Sequence, residues 1–256
     1  MMVRQTLFWQ LVTREIRTAY LENLTGFAWL FLQPLMLLSV YGFVFTTIFK
    51  SRIPDTDVGF VPYLAIAFWP WTAFSESILK ASNSISNNAA LIGKVALATE
   101  QLPMATVTAT FIMHMAGYMA ILIVLQMLGT DIHWLFLPLM IPVMVLLWIF
   151  AIGLSLLLSA LQVFVKDTAQ ILPPLMTLWF FTTPILYSQA QLPANISAVM
   201  SWNPMTWFVF QMREILLYGR INLGMGEMLS IVAVFLFAWI GLRFFQKFSG
   251  HFEDFL

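Results

Sequence analysis

Between Leu135 and Val165 the chain carries no charged residue. A helix needs only about 20 mostly apolar residues to cross the hydrocarbon core of a bilayer, so this run sets lipid as the medium the chain must fold in. Five other segments read the same way: 27–49, free of charge; 60–79, with one acid at Glu76; 103–128, with His114; 171–187, the shortest; and 228–245, with Arg243 near its end. In hydrocarbon every backbone N–H and C=O must be satisfied inside the segment, which makes these helices. A β-barrel would need ~10-residue segments of alternating hydrophobicity between turns, and the sequence has none. The expected fold is an all-α integral membrane protein, a single domain over 1–256 with six transmembrane helices.

Composition agrees. Sixty-one per cent of the residues are hydrophobic and 9% are charged, against about 25% charged in a soluble domain. Too little polar surface remains to cover a globule in water. Twelve basic residues balance twelve acidic ones, so no net field points to nucleic acid. With no cysteine, disulfides and thiolate metal sites are excluded, and nothing is implied about redox compartment. The apolar start at Leu7-Phe8-Trp9 is interrupted by Arg14, Glu15 and Arg17 with no small-x-small cleavage site after it, which argues against a cleaved signal peptide.

Six spans put both ends on one side. Arg4, Arg14, Arg17, Lys80, Lys94, Lys166, Arg243 and Lys247 fall there, against Lys50, Arg52, Arg213 and Arg220 opposite, eight of the twelve basic residues against four. The positive-inside rule then places both termini in the cytoplasm. Three segments lie outside the spans. In 4–22, Phe8, Leu11, Val12, Ile16, Ala19 and Tyr20 share one helical face, and Gln10, Thr13, Arg14, Arg17 and Thr18 the other, the pattern of an interfacial amphipathic helix. The segment 81–102 is long for a helical hairpin and polar at first, so a helix of its own is expected there. The outer segment 188–227 is too apolar for an ordinary loop yet is broken at Asn203-Pro204 and charged at Arg213 and Glu214. Broken backbone at membrane depth requires surrounding protein or a water-filled cavity. Re-entrant helices turning at Asn203-Pro204 fit this, as a gate; an amphipathic segment on the outer surface is the alternative.

No catalytic, cofactor-binding or metal-ligating constellation stands out. There is no Gly-x-x-x-x-Gly-Lys-Ser/Thr phosphate loop, no His-Glu-x-x-His and no Gly-x-Ser-x-Gly. His114, His133 and His251 lie far apart without carboxylates at ligand spacing. His114 in its apolar span reads as a neutral ring bonded to a neighbouring helix, and Glu76 as an acid reaching water near a helix end. A proton-coupled carrier would need buried carboxylates or a midplane ion site, so energy for transport comes from elsewhere. The N-terminal helix, the 81–102 loop and the Lys166-Asp167 turn are natural contacts for an ATPase subunit. The aromatics, 24 Phe, 10 Trp and 6 Tyr, partly form interfacial belts, with Trp69, Trp71, Trp134, Trp202 and Trp207 suited to that role. Trp29, Phe31, Trp179, Phe180 and Phe181, with others, cluster within or at the mouths of spans. Singly each is a packing residue; as a set they suit a passage for sugars, whose C–H faces slide over aromatic rings.

Five short motifs in order then give a resemblance: Arg14-Glu15-Ile16-Arg17 followed by Tyr20, Gly26, Trp29 and Pro34; Val163-Phe164-Val165-Lys166-Asp167 leaving the fourth span; Thr183-Pro184-Ile185-Leu186-Tyr187 ending the fifth; Trp202-Asn203-Pro204-Met205 in the broken segment; and Glu253-Asp254-Phe255-Leu256. In these the chain resembles, nearly end to end, the membrane subunit of polysaccharide ABC exporters, the type-2 permeases that export O-antigen, capsule and teichoic acid chains. It departs from that pattern at Ala19, where many relatives carry a basic residue, at Thr25, where they carry Leu, and at Lys166, where Arg is usual. Without a base at 19, capture of a lipid phosphate there would fall to Arg14 or Arg17.

The resemblance implies a homodimer with two copies of a nucleotide-binding subunit that holds ATP and Mg, in a bacterial inner membrane. It implies a lipid-linked polysaccharide substrate. It makes the loop after the second span a coupling helix docking in the ATPase and the outer re-entrant helices the exit gate. Together with the residue readings above, coupling is expected at Arg14, Glu15, Arg17, Ala89, Leu91, Lys94, Lys166 and Asp167, the channel aromatics are Trp29, Phe31, Trp179, Phe180 and Phe181, and the outer gate is Trp202, Asn203, Pro204 and Met205. Dimerisation also has a physical rationale, since six helices alone enclose only a narrow pore. Rival readings stay open: an exporter of the same fold carrying a drug or small lipid, a membrane enzyme acting on lipid-linked sugars, and a non-transporting assembly protein.

Overall fold

The computed structural model describes residues 2–18, 26–50, 58–92, 98–222 and 224–256. Ala19, Tyr20, Thr25, Arg52 and Lys94, which entered the expectations above, lie outside the described residues. Among the described residues ten α-helices follow in chain order: α1 Met2–Ile16, α2 Gly26–Phe43, α3 Phe60–Ser82, α4 Ser84–Asn87, α5 Gln101–Met127, α6 Met140–Phe164, α7 Thr168–Thr182, α8 Ala194–Met200, α9 Pro204–Tyr218 and α10 Met225–Phe248. Helix α2 runs on into a π-turn at Val44–Ile48, and a 3₁₀ turn at Trp134–Leu139 leads into α6. No strand occurs among the described residues.

Among the described residues, four stretches are long and apolar enough to cross a membrane: Phe31–Ile48, Gln101–Met127, Trp134–Phe164 and Met225–Asp254. The two other expected spans have physical reasons to differ. Helix α3 has 23 residues but carries Glu76, Lys80 and several hydroxyls. Helix α7 has 15, fewer than the ~20 of a full crossing. It starts earlier than expected, at Thr168, and stops at Thr182, because Pro184 has no N–H and pushes Thr183 out of the helical region (ψ 137°).

Helices α3, α5 and α6 form the centre, with α10 laid along α6, α1 against α5, and α2 and α7 against α3. The α3–α5 seam shows how sequence enforces packing. Pro70 inside α3 cannot donate to the carbonyl of Ile66; the hydroxyl of Tyr118 on α5 donates to it instead, at 2.9 Å. One turn away the Trp69 indole donates to the His114 carbonyl at 3.1 Å. Gly117 admits that indole, since a Cβ there would lie 2.6 Å from Trp69 Cζ2. The α6–α10 crossing rests on small residues in the same way: a Cβ on Gly153 would meet Ala238 Cα at 2.6 Å, and one on Gly241 would run into the Gly153 carbonyl. Small residues let membrane helices approach until backbone contacts and dispersion hold them.

Helix α1 has the expected two faces. Leu11 and Val12 are buried, and Thr13 and Arg17 exposed, but the apolar face packs on α5. Within 188–227 a 3₁₀ turn at Gln189–Gln191 precedes two helices, α8 and α9, separated at Ser201–Asn203. Helix α9 ends at Gly219 in the left-handed region (φ 60°), where a side chain would be strained. Beyond α10, Phe252 is buried, and Phe248, Phe252 and Phe255 all pack on Phe164, two residues before Lys166.

Candidate functional site

Helices α2, α3 and α7 enclose an open groove of about 460 Å³. One wall is aromatic, with Tyr41, Phe68, Trp71, Phe180 and Phe181; the rest carries Gln33, Thr72, Ser75, Glu76 and Thr177 among aliphatic residues. The Phe180 ring is the hub of the aromatic wall, 5.8 Å from Tyr41 and 5.9 Å from both Phe68 and Trp71. The five aromatics expected along a passage therefore divide. Phe180 and Phe181 line the groove. Trp179 turns the other way, against Phe74 at 5.5 Å, Trp71 and Phe150. Phe31 packs beside Trp69, and Trp29 stands exposed on α2.

The four expected gate residues sit at the α7–α9 junction. Asn203 is the N-cap of α9, accepting from the Met205 N–H at 3.0 Å, with Pro204 in the first turn. The same amide oxygen accepts from the Trp179 indole at 2.9 Å, while its NH₂ donates to the Thr182 carbonyl (3.1 Å) and the Thr183 hydroxyl (2.9 Å). One amide thus ties an expected channel aromatic to the expected gate. Met205 is buried, and Trp202 is 88% exposed at the mouth of a second cavity of about 510 Å³ between α6, α9 and α10.

Arg213 completes the junction. Its guanidinium donates to the carbonyls of Tyr63 (3.1 Å), Pro184 (2.7 Å) and Ile185 (2.7 Å) and lies 3.4 Å over the Tyr63 ring. It supplies donors to the Pro184 and Ile185 carbonyls, which lie past the end of α7, and adds one to the Tyr63 carbonyl in the first turn of α3. A guanidinium suits this, with donors fanned in one plane and a face that stacks. Next to it, Glu214 pairs with Arg220 and accepts from Asn222 at 3.0 Å. The carboxylate bonded to it raises the Arg220 guanidinium above its ordinary value.

The expected coupling residues gather at the opposite end of α3. Arg14 bonds Glu15 (3.0 Å) and the Asn88 side chain (2.8 Å) just after α4, beside the 3₁₀ turn that carries Ala89 and Leu91. Ser86 on α4 donates to buried Gln162 on α6 at 2.8 Å. Lys166 and Asp167 are exposed in the α6–α7 turn that follows, and Arg17 is exposed just past the end of α1. Helix α4 thus bridges α1 and α6. Asn88, Ser86 and Gln162 were absent from the sequence expectations; polar side chains of this kind are common, and only the fold singles them out.

One sequence reading is corrected. His114 does bond a neighbouring helix, but its partner is Glu76: the Nε2–carboxylate distance is 2.8 Å, and Lys80 Nζ holds the other oxygen at 2.6 Å. Glu76 and His114 are 38 residues apart in sequence, and only the fold brings them together. Two ionisable groups on adjacent, largely apolar helices have reason to meet, because each is costly alone.

Comparison with known proteins adds independent findings. The sequence profile of the family described as ABC-2 type transporter matches residues 6–217. The chain is 25% identical over 251 residues to an O-antigen export system permease protein of Klebsiella pneumoniae, covering 96% of this chain and 93% of that one. It is 31% identical over 198 residues to an O-antigen export system permease protein of Myxococcus xanthus, with 76% and 74% covered. It is 23% identical over 244 residues to a polysialic acid transport protein of Escherichia coli, with 92% and 91% covered.

Proposed function

The chain belongs to the ABC-2 type transporter family, and from that membership we propose that it is the membrane-spanning permease subunit of an ATP-driven polysaccharide exporter. It is a multi-pass membrane protein of apolar helices. The observation that carries the reading is the length of the likeness: 96% of this chain aligns with 93% of a permease named for O-antigen export. The substrate is a lipid-linked polysaccharide of the O-antigen kind, moved out of the cytoplasm across the inner membrane.

The finer picture has separate support. Six spans would be α2, α3, α5, α6, α7 and α10, with α8–α9 as the re-entrant outer gate; the break at Asn203 and the buried junction around Arg213 favour this over a surface segment. The bias of basic residues favours both termini in the cytoplasm. The ATPase, in two copies carrying ATP and Mg, would dock on α1, α4 and the Lys166-Asp167 turn, where Arg14–Asn88 and Ser86–Gln162 join three elements into one platform. A homodimer is supported by the groove itself, which has walls from only three helices and needs a second copy to close it.

The test is purification of the tagged chain in mild detergent, with mass spectrometry of what accompanies it. A stoichiometric partner with a phosphate-binding loop is the expected result, with loss of surface polysaccharide when the chain is deleted. A chain that purifies without any ATPase, where a known exporter stays intact, overturns the reading in favour of an enzyme or assembly protein. A partner ATPase with unchanged surface polysaccharide points to a drug or lipid exporter instead.

A further inference from the structure

Glu76 differs in kind from everything else that lines the α2–α3–α7 groove. Among the described residues it is the one charged side chain in that lining. The hydroxyls near it have already committed their protons, Thr72 to the Trp69 carbonyl at 2.6 Å and Thr177 to the Pro173 carbonyl at 3.0 Å. Glu76 also lies well inside the helix, about 9 Å along the axis from its end at Ser82 by the rise of an α-helix. An ionisable side chain at such a place is expensive and is retained where it is paired or faces a cavity. Glu76 does both.

Its pairing is more elaborate than neutralisation requires. Lys80, one turn along the same helix, holds one oxygen at 2.6 Å, which is enough for charge balance. The second oxygen is held at 2.8 Å by His114, from the helix behind. His114 is 1% exposed and its Nδ1 has no hydrogen-bond partner, so the ring is placed for its contact through Nε2. Two partners from two helices fix the rotamer and plane of the carboxylate. Yet 36% of the Glu76 side chain remains exposed.

We propose that Glu76 is a substrate-contacting residue of the passage, accepting hydrogen bonds from hydroxyl groups of the saccharide that moves along the aromatic wall, with Lys80 and His114 as positioning residues. This rests on the polysaccharide reading above. A carboxylate offers about four lone-pair sites on its two oxygens, and the exposed part of Glu76 faces the groove, so neighbouring hydroxyls of one sugar ring can both donate to it, and bonds to an ionised acceptor are the stronger kind. The exposed ring of Phe181, in the same cavity and backed by buried Phe180, takes the C–H face of the sugar. The aromatic wall lets the polymer slide; the carboxylate gives each residue of it a place to dwell.

The chain has no cysteine, which allows a chemical test on protein that has already folded. Inside-out membrane vesicles containing the whole exporter and its ATPase are given ATP and lipid-linked polysaccharide, and transported polymer is measured per copy of the chain. Glu76→Cys is expected to slow transport about tenfold or more, equivalent to ~1.4 kcal/mol. Treatment with iodoacetate, which restores a carboxylate one atom further out, should recover a substantial part of that loss. Iodoacetamide, of the same size without the charge, should not. The parent, treated alongside, controls for reaction elsewhere. Equal effects of the two reagents, or transport by E76C at the parent rate, overturn the proposal. Should E76C fail to reach the membrane, His114 serves in its place. H114L should raise the polysaccharide concentration for half-maximal transport severalfold, and H114Q, which keeps an N–H donor, should restore it. H114L and H114Q behaving alike overturns the positioning role. Parent vesicles that move no polysaccharide would sink the underlying reading instead, and are distinguished from these outcomes by the absence of any signal to modulate.

Discussion

At the scale of single residues, stability here turns on carbonyls that the chain's own prolines leave without donors. Ile66 loses its helical partner to Pro70 and is served by Tyr118. Replacing Tyr118 with Phe removes one hydroxyl and nothing else, so the cost should be that of one orphaned carbonyl in an apolar seam, about 1–2 kcal/mol. A lowered unfolding midpoint in detergent, with assembly retained, is the expected outcome; an unchanged midpoint would mean the Ile66 carbonyl finds another donor. Arg213 raises the stakes, because it serves two carbonyls outside any helix, Pro184 and Ile185, besides that of Tyr63. Arg213→Met leaves those two without this donor at about 1–3 kcal/mol each, and little folded protein should survive gel filtration. Arg213→Lys keeps the charge but loses the planar fan and the stacking on Tyr63, and should fall between Met and the parent. Lys matching Arg would show that charge alone matters. Neither partner set was legible in the sequence. Arg213 read as a charge in an outer loop and Glu76 as an acid near water, since hydropathy ranks a residue by its own cost and is blind to a partner brought from another helix.

At the scale of elements, legibility was far better, because a membrane helix is written in a long local signal. All six apolar runs became helices, and α5 begins and ends close to its expected limits of 103 and 128. The ends drifted where polar residues carry a helix past its apolar part, as in α3 to Ser82, or where proline cuts it, as in α7. The Gly153–Gly241 contact was not singled out, because isolated glycines are common and only the crossing makes these two matter. Gly241→Leu would force four side-chain carbons against the Gly153 carbonyl. The loss should be about 1–3 kcal/mol or more from overpacking, seen as a lower unfolding temperature of the purified chain; tolerance of Leu would require α10 to shift along α6. The platform of α1, α4 and the α6–α7 turn makes a functional prediction of its own. If α4 passes ATPase motion to α6, substituting Lys166 and Asp167 together by Ala should leave hydrolysis running while polymer moved per ATP falls about fivefold or more, on the scale of an ordinary coupling energy. Unchanged export per ATP would remove that turn from the coupling path.

At the scale of the whole molecule, one copy looks like half of something. Its cavity between α2, α3 and α7 is open, and the helices flanking it present apolar stripes outward: Leu32, Met36 and Val40 on α2, and Ile171, Leu175 and Leu178 on α7. Lipid could cover these stripes, but lipid would also then fill the groove and meet Glu76 and Gln33, leaving polar groups in hydrocarbon. A second copy, turned by a two-fold axis, would cover the stripes and enclose the polar groups in a shared passage. The absence of cysteine makes this directly measurable. Leu178→Cys places a thiol on a residue 62% exposed on α7, and Val232→Cys places one on a residue 63% exposed on α10, on a helix that borders no part of the groove. With a membrane-permeant oxidant, L178C should give a band at twice the chain mass and V232C should not. The two thiols are equally exposed to chance collision in the bilayer, so the contrast between them isolates a specific face. Cross-linking at both or at neither would leave the groove without its second half, and the passage would then have to lie within a single copy.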